Sequence, residues 1–579
     1  MSATRGWPVA LAALLLASAA LADTEHDYFR HVVFDNSQQP GAYWYSNAVA
    51  VAPSLLERSG DRVPVDTTVF HSPPNALRLT WLSLAGGGWE AEIHLLTFRN
   101  RYPEMSGQTL SLWLYSAVPI AAADLPQILL SDAREGLQVA ERTGGFTVAE
   151  PLGRFAGALP AHRWTLVQIP LKVLRTASVY PFRPERLQSV VFHQGGADDV
   201  AHTMFVDDIR IDDGSPVAPH RAPQDVEATG YERHAIVRWR GTDQDPWDHV
   251  VVYRSTDGGH GYTPIGIQRT GVHRFCDYLG EPGKTVWYRV TAADSRGRES
   301  PPSAPVRVTT RPFTDEELLT MLQEAAFQYY WDGADRASGM AHENLPGDDR
   351  IVATGASGFG VGALVVGASR GFITREQARQ RLEKIVGFLE RAPRYHGAWS
   401  HYMNGATGQT MALFGMLDNG GDLVETAFMM QGLLIARQYF NAATRAERDL
   451  AARITRLWET VEWDWYRERS SSDFLYWHWS PEWGFEIHHP LIGFNETMIV
   501  YLLAIASRAH AVPAALYYSG WAGQNQLAQE YRHGWSGSTE GKLYGNGHSY
   551  FGIKLDVGVG SGGPLFFTHY SFLGMDPHA

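Results

Sequence analysis

The stretch Thr314–Trp331, TDEELLTMLQEAAFQYYW, marks the point where the chain changes from strand patterns to helix patterns. Its first residue and Glu317 have the spacing of a capping box, in which the two side chains bind free backbone N–H groups at a helix start. Leu318, Leu319 and Leu322 follow at helical spacing. We therefore expect a helix here, with these leucines and Ala326 on one face.

Similar signals recur downstream of this stretch. They predict further helices at residues 357–370, 374–389, 422–440, 444–461, 495–510 and 513–521. The loops between them are long and rich in Gly, Trp, Tyr and His, which is typical of loops that build a site. Residues 314–579 are therefore predicted to be a mainly α-helical domain.

Upstream of the helical region the pattern has a period of two. Leu110, Leu112 and Leu114 alternate with Trp113 and Tyr115, and no long stretch of residues 23–213 has helical spacing. This predicts an all-β sandwich of the jelly-roll kind. Residues 214–223 contain three prolines and are interpreted as a linker.

The next ninety residues, 224–312, contain short strand runs such as AIVRWRG and VWYRVTAADSRGRES. Their length and the second run resemble a fibronectin type III module. The resemblance implies that Trp239 is the buried core tryptophan and that Tyr288 is the tyrosine at the corner of the sandwich.

Composition excludes several function classes. With 49 basic and 62 acidic side chains the formal charge is −13, and there is no Lys/Arg block, so binding to nucleic acid is not expected. The single cysteine, Cys276, cannot form an internal disulfide or a cysteine-based metal site. A hydrophobic content of 44% is enough for real cores.

The first 22 residues have the features of an export signal. Arg5 precedes a short apolar run at positions 9–17, and Ala20-Leu21-Ala22 forms a small-x-small cleavage site before Asp23. The run is shorter than the roughly 20 residues that a membrane span needs. We expect a secreted or periplasmic protein with no membrane insertion after signal cleavage.

The first acidic cluster of the helical domain lies in DNGGDLVETAF. Asp422 is predicted to open a helix, and Glu425, three residues later, lies on the same face, with Asp418 reaching in from the loop. The alternative is plain N-capping, because Asp and Glu at these positions stabilise a helix start by themselves. The nearest cation in sequence is Arg437, which favours a functional cluster.

The second acidic feature is Glu496, which is flanked by apolar residues in LIGFNETMIV. Desolvation disfavours the ionised form of such a carboxyl and keeps it protonated, as a general acid requires. The alternative is a buried glutamate that is satisfied by a hydrogen bond inside the bundle.

Aromatic residues are dense between the two acidic features, above all in YWHWSPEWGF. Rings with polar tips bind the C–H faces and hydroxyls of sugars. The histidines nearby have no zinc-ligand spacing, and we expect no metal and no cofactor. The candidate substrate-binding residues are Trp399, His401, Tyr476, Trp477, His478, Trp479, Trp483 and Asn495.

Five segments of the helical region resemble the glycoamylase-like domain, and within it most closely the endo-β-1,2-glucanases of glycoside hydrolase family 144. They are 314–331, 357–374, 388–405, 420–440 and 461–496. The resemblance implies an (α/α)6 toroid that cleaves β-1,2-glucan with inversion. It also implies that Asp418, Asp422, Glu425 and Glu496 are the acidic residues of the site.

A toroid of this kind has twelve helices, whereas the pattern predicts about seven. We therefore expect the helical domain to be incomplete at its C-terminus. In related β-1,2-glucan hydrolases the general base can lie in the later portion, so it can be missing here.

The sequence thus predicts an exported glycoside hydrolase that acts on β-1,2-glucan or a related β-glucan polysaccharide or oligosaccharide. One alternative is a transglycosylase, or a hydrolase of another linkage. The other is a non-catalytic carbohydrate-binding protein, because the toroid is incomplete. The sequence gives no signal for an oligomeric state.

The N-terminal module has two further candidate features. Trp44, Tyr45 and Trp89 are candidate glycan-stacking residues, and the alternative is that this module is a plain spacer. Asp207 and Asp208 are candidates for a structural calcium, although a solvated strand pair is the favoured interpretation.

Overall fold

The computed structural model describes residues 28–95, 105–132, 144–213, 218–240, 247–269, 271–345, 348, 350–441, 444–534, 549–554 and 564–576. The expected signal segment, residues 1–22, lies outside them. The chain forms two compact units that divide between Phe313 and Thr314. The first is rich in strands and the second is mainly helical, so the protein is multidomain.

The first half of the strand-rich unit is built from two antiparallel sheets and one short helix. The strands are β1 (Val32–Phe34), β2 (Ser46–Val51), β3 (Leu55–Leu56), β4 (Val65–Asp66), β5 (Ala76–Leu82), β6 (Gly88–His94), β7 (Thr109–Tyr115), β8 (Gln127–Ser131), β9 (Glu150–Pro151), β10 (Thr165–Pro170), β11 (Ser189–His193) and β12 (Ala201–Asp212), and the helix is α1 (Gly153–Ala156). One sheet has the order β10-β7-β12-β5-β3, with β1 paired to β12 and β4 to β5, and the other has the order β2-β6-β11-β8-β9.

The two sheets share one hydrophobic core, and the alternation along β7 shows why. Leu110, Leu112 and Leu114 are fully buried in this core, whereas Trp113 and Tyr115 on the opposite face are only partly buried. The predicted strand with a period of two is confirmed.

The candidate glycan-stacking residues of this module differ in their exposure to solvent. Trp89 is buried, and its indole N–H donates to the Ser83 hydroxyl at 3.1 Å, so the prediction that it stacks on glycan is wrong. Trp44 is 62% exposed, with the Arg62 guanidinium over its ring. Tyr45 is partly buried.

Asp207 and Asp208 are both buried. Asp207 accepts the backbone N–H groups of His71 and Ser72 at 2.7 and 2.9 Å. Asp208 lies 2.7 Å from Nδ1 of His71. The favoured interpretation of a solvated pair is therefore wrong, because the two carboxyls hold a loop in the interior.

The second half of the unit is another antiparallel sandwich. Its strands are β13 (Gln224–Gly230), β14 (His234–Arg240), β15 (His249–Ser255), β16 (Thr263–Arg269), β17 (Arg274–Tyr278), β18 (Thr285–Ala293) and β19 (Val306–Thr309), in sheets of order β13-β14-β17 and β16-β15-β18-β19. Trp239 and Tyr288 are both buried in its core. The Tyr288 hydroxyl donates to the Asp277 carboxyl at 2.6 Å, whereas a corner tyrosine donates to the backbone.

The second unit is built on helices joined by loops with short strand pairs. Its helices are α2 (Asp315–Trp331), α3 (Thr354–Arg370), α4 (Arg375–Leu389), α5 (Leu423–Tyr439), α6 (Arg445–Glu459), α7 (Met498–Ala506), α8 (Ala515–Ser519), α9 (Gln526–Gly534) and α10 (Phe566–His569). The strand pairs are β20 (Ile351–Ala353) with β21 (Tyr402–Asn404), β22 (Gly421–Asp422) with β23 (His478–Trp479), and β24 (Ser549–Tyr550) with β25 (Ile553–Lys554). No helix in the described part of the chain is long and apolar enough to cross a membrane.

Helix α2 starts as predicted, and the face that carries its leucines is largely exposed. Its capping box is formed. Leu318, Leu319 and Leu322 are 37, 54 and 54% exposed. The helix contacts α3 through its C-terminal turns, where Phe327 lies against Gly367 and Tyr330 against Gly360.

Helices α3 and α5 are in backbone contact. A Cβ atom on Gly358 would overlap the Phe428 carbonyl, and one on Gly432 would overlap the Gly358 carbonyl. Only glycine permits such an approach at these two positions, because it has no side chain. This contact fixes the distance between the two helices.

The contact between α3 and α5 predicts that alanine substitution at two glycines of α3 changes the free energy of unfolding in opposite directions. Gly358→Ala should lower the free energy of unfolding by about 1–3 kcal/mol, since the methyl group cannot fit without backbone movement. Gly362→Ala is the matched control: a Cβ there meets no atom within 4 Å. It should stabilise by up to about 1 kcal/mol. Thermal and urea unfolding measure both, and equal effects of the two substitutions would contradict the backbone contact.

Candidate active site

The first acidic cluster lies at the start of α5, as the sequence predicts. Asp422 is the N-cap, and its Oδ1 accepts the Glu425 backbone N–H at 2.9 Å. Asp422 is nearly fully buried, and Asp418 is also buried in the preceding loop. Asp422 therefore caps the helix and also belongs to a cluster of carboxyls. Capping uses only its Oδ1 atom, and its Oδ2 atom makes the further contacts described below.

His401 joins the three carboxyls. Its Nδ1 lies 3.2 Å from Asp422 Oδ2, and its Nε2 lies 3.8 Å from Glu425 Oε1. The imidazole stacks on Tyr402, with ring centres 4.1 Å apart. Burial lowers the pKa of His401, but Glu425, Asp422 and Asp418 together raise it more, to about 9. The imidazole is therefore a cation at neutral pH, between carboxyl groups.

Two carboxyls of the cluster hold protons more tightly than usual. Burial raises the pKa of Glu425 to about 7, with a further increase from Asp422 and an opposing effect of His401. Burial likewise raises the pKa of Asp418 to about 6, again with Asp422 adding to the increase and His401 opposing it. Groups that titrate near neutral pH are suited to proton transfer.

The start of α3 holds Glu425 from the other side. The backbone N–H of Gly355 donates to Glu425 Oε2 at 2.9 Å. A side chain on Gly355 would overlap that carboxyl. A helix N-terminus favours negative charge, so α3 supports the ionised form of Glu425.

Trp477 orients the N-cap carboxyl. The pairing of β22 with β23 places this loop beside α5. The indole N–H of Trp477 donates to Asp422 Oδ2 at 3.0 Å. Trp477, predicted to bind substrate, therefore has an observed contact with a candidate catalytic carboxyl.

Glu496 lies between the loop after Trp483 and helix α7. Its side chain is mostly buried, and burial raises its pKa. Within the described residues its Oε2 atom is buried and has no hydrogen-bond partner. A hydrogen bond from its own backbone N–H opposes this rise in pKa. The role of Glu496 as the acid stays a prediction, as does the alternative of a buried carboxyl held by a hydrogen bond.

Four predicted substrate-binding residues lie in the interior. Trp399 is fully buried, and its indole N–H donates to the Leu389 carbonyl. The amide of Asn495 donates to the Ile492 carbonyl. Tyr476 and His478 are also buried, and burial lowers the pKa of His478. Each of these four side chains exposes only a small part of its surface, and their roles in sugar binding stay predictions.

The remaining predicted aromatic residues reach the surface. Trp483 is 52% exposed. Trp479 is partly buried and lies edge-on to Trp465, with ring centres 6.1 Å apart, and Trp465 is 42% exposed. These rings can contact the C–H faces of a sugar.

Sequence reasoning missed Phe414 and Tyr570. Phe414 is 69% exposed, lies edge-on to His401, and donates its backbone N–H to Asp418. Tyr570 lies close enough to Glu425 and Glu496 for both to raise its pKa. The signal for Phe414 was available: an apolar side chain in a loop just before Asp418.

Carboxyls that titrate near neutral pH, here Glu425 and Asp418, together with exposed aromatic rings are features that glycoside hydrolases use. The family model "Glycoamylase", described as "Putative glucoamylase", matches residues 488–579. The chain is 44% identical over 572 residues to the exo beta-1,2-glucooligosaccharide sophorohydrolase (non-reducing end) of Parabacteroides distasonis, and the match covers 98% of this chain and 78% of that protein.

A solved structure gives the same relationship. A crystal structure of a beta-1,2-glucanase from Parabacteroides distasonis matches with a TM-score of 0.83 and 43% identity, covering 94% of this chain and 77% of that one. An endo-beta-1,2-glucanase from Chitinophaga pinensis is 44% identical over 46% of this chain and 62% of its own, with a TM-score of 0.41.

The protein is a glycoside hydrolase. It belongs to the family of the Parabacteroides distasonis sophorohydrolase.

The raised pKa of Glu425 predicts how stability depends on pH. The folded protein keeps this proton up to about pH 7, whereas the unfolded chain releases it near pH 4.5. The unfolded state therefore binds fewer protons between these values, and the free energy of unfolding falls as pH rises through them. In the Glu425→Gln variant the decrease in the free energy of unfolding over this pH range should be smaller than in the wild type by about 1–3 kcal/mol.

Urea unfolding of wild type and variant from pH 4.5 to 7.5, followed by tryptophan fluorescence, measures the difference. Glu530→Gln, at an exposed position on α9, is the control and should keep the wild-type slope. A Glu425→Gln variant with the wild-type slope would show that Glu425 does not titrate in this range.

Proposed function

We propose that the protein hydrolyses β-1,2-linked glucooligosaccharides from the non-reducing end and releases sophorose. The observation that carries the proposal is the 44% identity to the sophorohydrolase over 98% of the chain. The TM-score of 0.83 over 94% of the chain supports it, because the match includes both units of the protein.

Glu496 is proposed as the general acid that protonates the departing sugar oxygen. Its raised pKa supports this role, since the carboxyl must hold a proton at the working pH. Glu425 is proposed to accept a proton from the attacking water, with Asp418 as the second candidate. His401 and the Gly355 N–H favour the ionised form of Glu425 that this step needs.

An acid on one side and a water-activating carboxylate on the other give inversion of the anomeric centre. The water adds to the anomeric carbon and gives its proton to the carboxylate, while the acid gives its proton to the leaving oxygen. We propose that Phe414, Trp479 and Trp483 contact the sugar rings.

A second candidate is endo-cleavage of β-1,2-glucan. The match to a crystal structure named a beta-1,2-glucanase favours keeping it. Transglycosylation would use the same acid with a sugar hydroxyl in place of water.

We further propose that the helical unit has the (α/α)6 toroidal arrangement, that residues 224–312 are a fibronectin type III module, and that the protein is exported to the periplasm or medium. Consecutive helices α3 to α6 around one core support the first assignment. The Trp239 core supports the second. Trp44 and Tyr45 are the proposed contacts for a glycan on the N-terminal sandwich, because Trp89 is buried.

Product analysis separates exo-cleavage from endo-cleavage. With β-1,2-glucooligosaccharides labelled at the reducing end, we expect unlabelled sophorose and labelled chains that shorten by two glucose units per step, measured by mass spectrometry over time. Labelled products of all lengths from the earliest times would indicate endo-cleavage. Products longer than the substrate would indicate transglycosylation, and no cleavage of this linkage would refute the proposal.

Glu496→Gln tests the general acid. The amide has the size of the carboxyl but cannot give a proton to the leaving oxygen, so kcat should fall by about 10²- to 10⁴-fold. Stability should be equal or higher, because burial disfavours the charged carboxyl. Binding of a sophorooligosaccharide, measured by calorimetry, should persist.

Glu459→Gln, at the last residue of α6, is the matched control and should keep wild-type turnover. Near-normal turnover of Glu496→Gln would assign the acid to Asp418, Asp422 or Glu425.

A further inference from the structure

Tyr570 packs on the helices α3 and α5, and the residue after it contacts the loop that carries Glu496. Its ring packs against Phe359 and Phe428, with ring centres 4.3 and 5.4 Å away. Phe359 is about one helical turn after Gly355, whose N–H binds Glu425, and Phe428 is about one turn after Glu425 itself. Gly355 lies against both Glu425 Oε2 and the Phe428 ring, so the Tyr570 ring packs on the same region of α3 and α5 that holds the Glu425 carboxyl.

The next residue attaches this turn to Glu496. The Ser571 hydroxyl donates to the Glu496 carbonyl at 2.6 Å and accepts the Ile499 N–H at 3.1 Å. The Ser571 carbonyl accepts the Gln431 side chain at 3.3 Å. The turn is thus fixed both to the loop that carries Glu496 and to the helix that carries Glu425.

Electrostatics agree with this placement. After burial, Glu425 and then Glu496 raise the pKa of Tyr570, so the neutral phenol is in the field of both carboxyls. Glu496 Oε2 has no hydrogen-bond partner among the described residues. A phenol can donate one hydrogen bond and accept another, and such bonds often shorten only when substrate is bound.

On the basis of the proposed function, we propose that Tyr570 is a positioning residue that accepts a hydrogen bond from protonated Glu496 and donates one to ionised Glu425 when substrate is bound. This arrangement assigns the proton to the acid and the negative charge to the carboxylate that activates water. No proton is transferred through the phenol in this role.

Tyr570→Phe tests the proposal, because it removes the hydroxyl and keeps the ring between Phe359 and Phe428. The pH profile of kcat at a saturating concentration of a β-1,2-glucooligosaccharide should narrow, because kcat reports the pKa values of the enzyme with substrate bound. Its acidic limb should move up, since Glu425 loses a donor to its ionised form, and its alkaline limb should move down, since protonated Glu496 loses an acceptor. Each shift should be about one pH unit, and kcat should fall about 10- to 100-fold with a smaller change in KM.

Tyr517→Phe is the matched control: this tyrosine of α8 is partly buried against Trp521, and no carboxyl contributes to its raised pKa. It should keep the wild-type profile. Circular dichroism measures the folded fraction of each variant, and each rate is divided by that fraction. A uniform loss of activity by Tyr570→Phe with unchanged limbs, or no loss, would overturn the inference. An inactive wild type would instead refute the proposed function.

Discussion

The geometry of the site depends on the contact between the backbones of α3 and α5. Gly358 and Gly432 let the two helices approach until carbonyl groups occupy the space of side chains. About one turn before Gly358, the free N–H of Gly355 then reaches Glu425 on the other helix. A separation of the two helices would lengthen this hydrogen bond. The spacing of the two helices and the orientation of the carboxyl are therefore one constraint.

Three carboxyl groups, those of Asp418, Asp422 and Glu425, lie close together in a mostly buried place. Such groups repel each other, and burial alone would force protons onto them. The structure supplies donors: the imidazole of His401, the indole N–H of Trp477 and the backbone at two helix starts. They act most directly on Asp422, which the first two contact at one oxygen. Glu425 and Asp418 receive fewer donors, and their pKa values remain raised.

Local signals in the sequence predicted the helix starts well, because a capping box or an N-cap is a contact between residues three apart. Thr314, Thr374 and Asp422 all cap helices as expected. Burial could not be predicted in this way. Trp399 is a core residue and Leu318 is exposed because long-range packing decides which face of an element is covered. Tyr570 was missed for the same reason: it lies some 70 residues or more from both carboxyls in sequence, and only the fold brings it to them.

Two carboxyls with raised pKa values can still take opposite roles, because the causes differ. Burial acts on Glu496 with no side-chain donor to oppose it. Burial also acts on Glu425, but the His401 cation and the Gly355 N–H oppose it there. A bound sugar would exclude water from both groups, which strengthens burial and the attraction to nearby charges together. Glu496, where only its own backbone N–H opposes burial, then holds its proton more firmly, and Glu425, beside the His401 cation, retains its charge. The substrate itself would thus increase the difference between acid and base that hydrolysis requires.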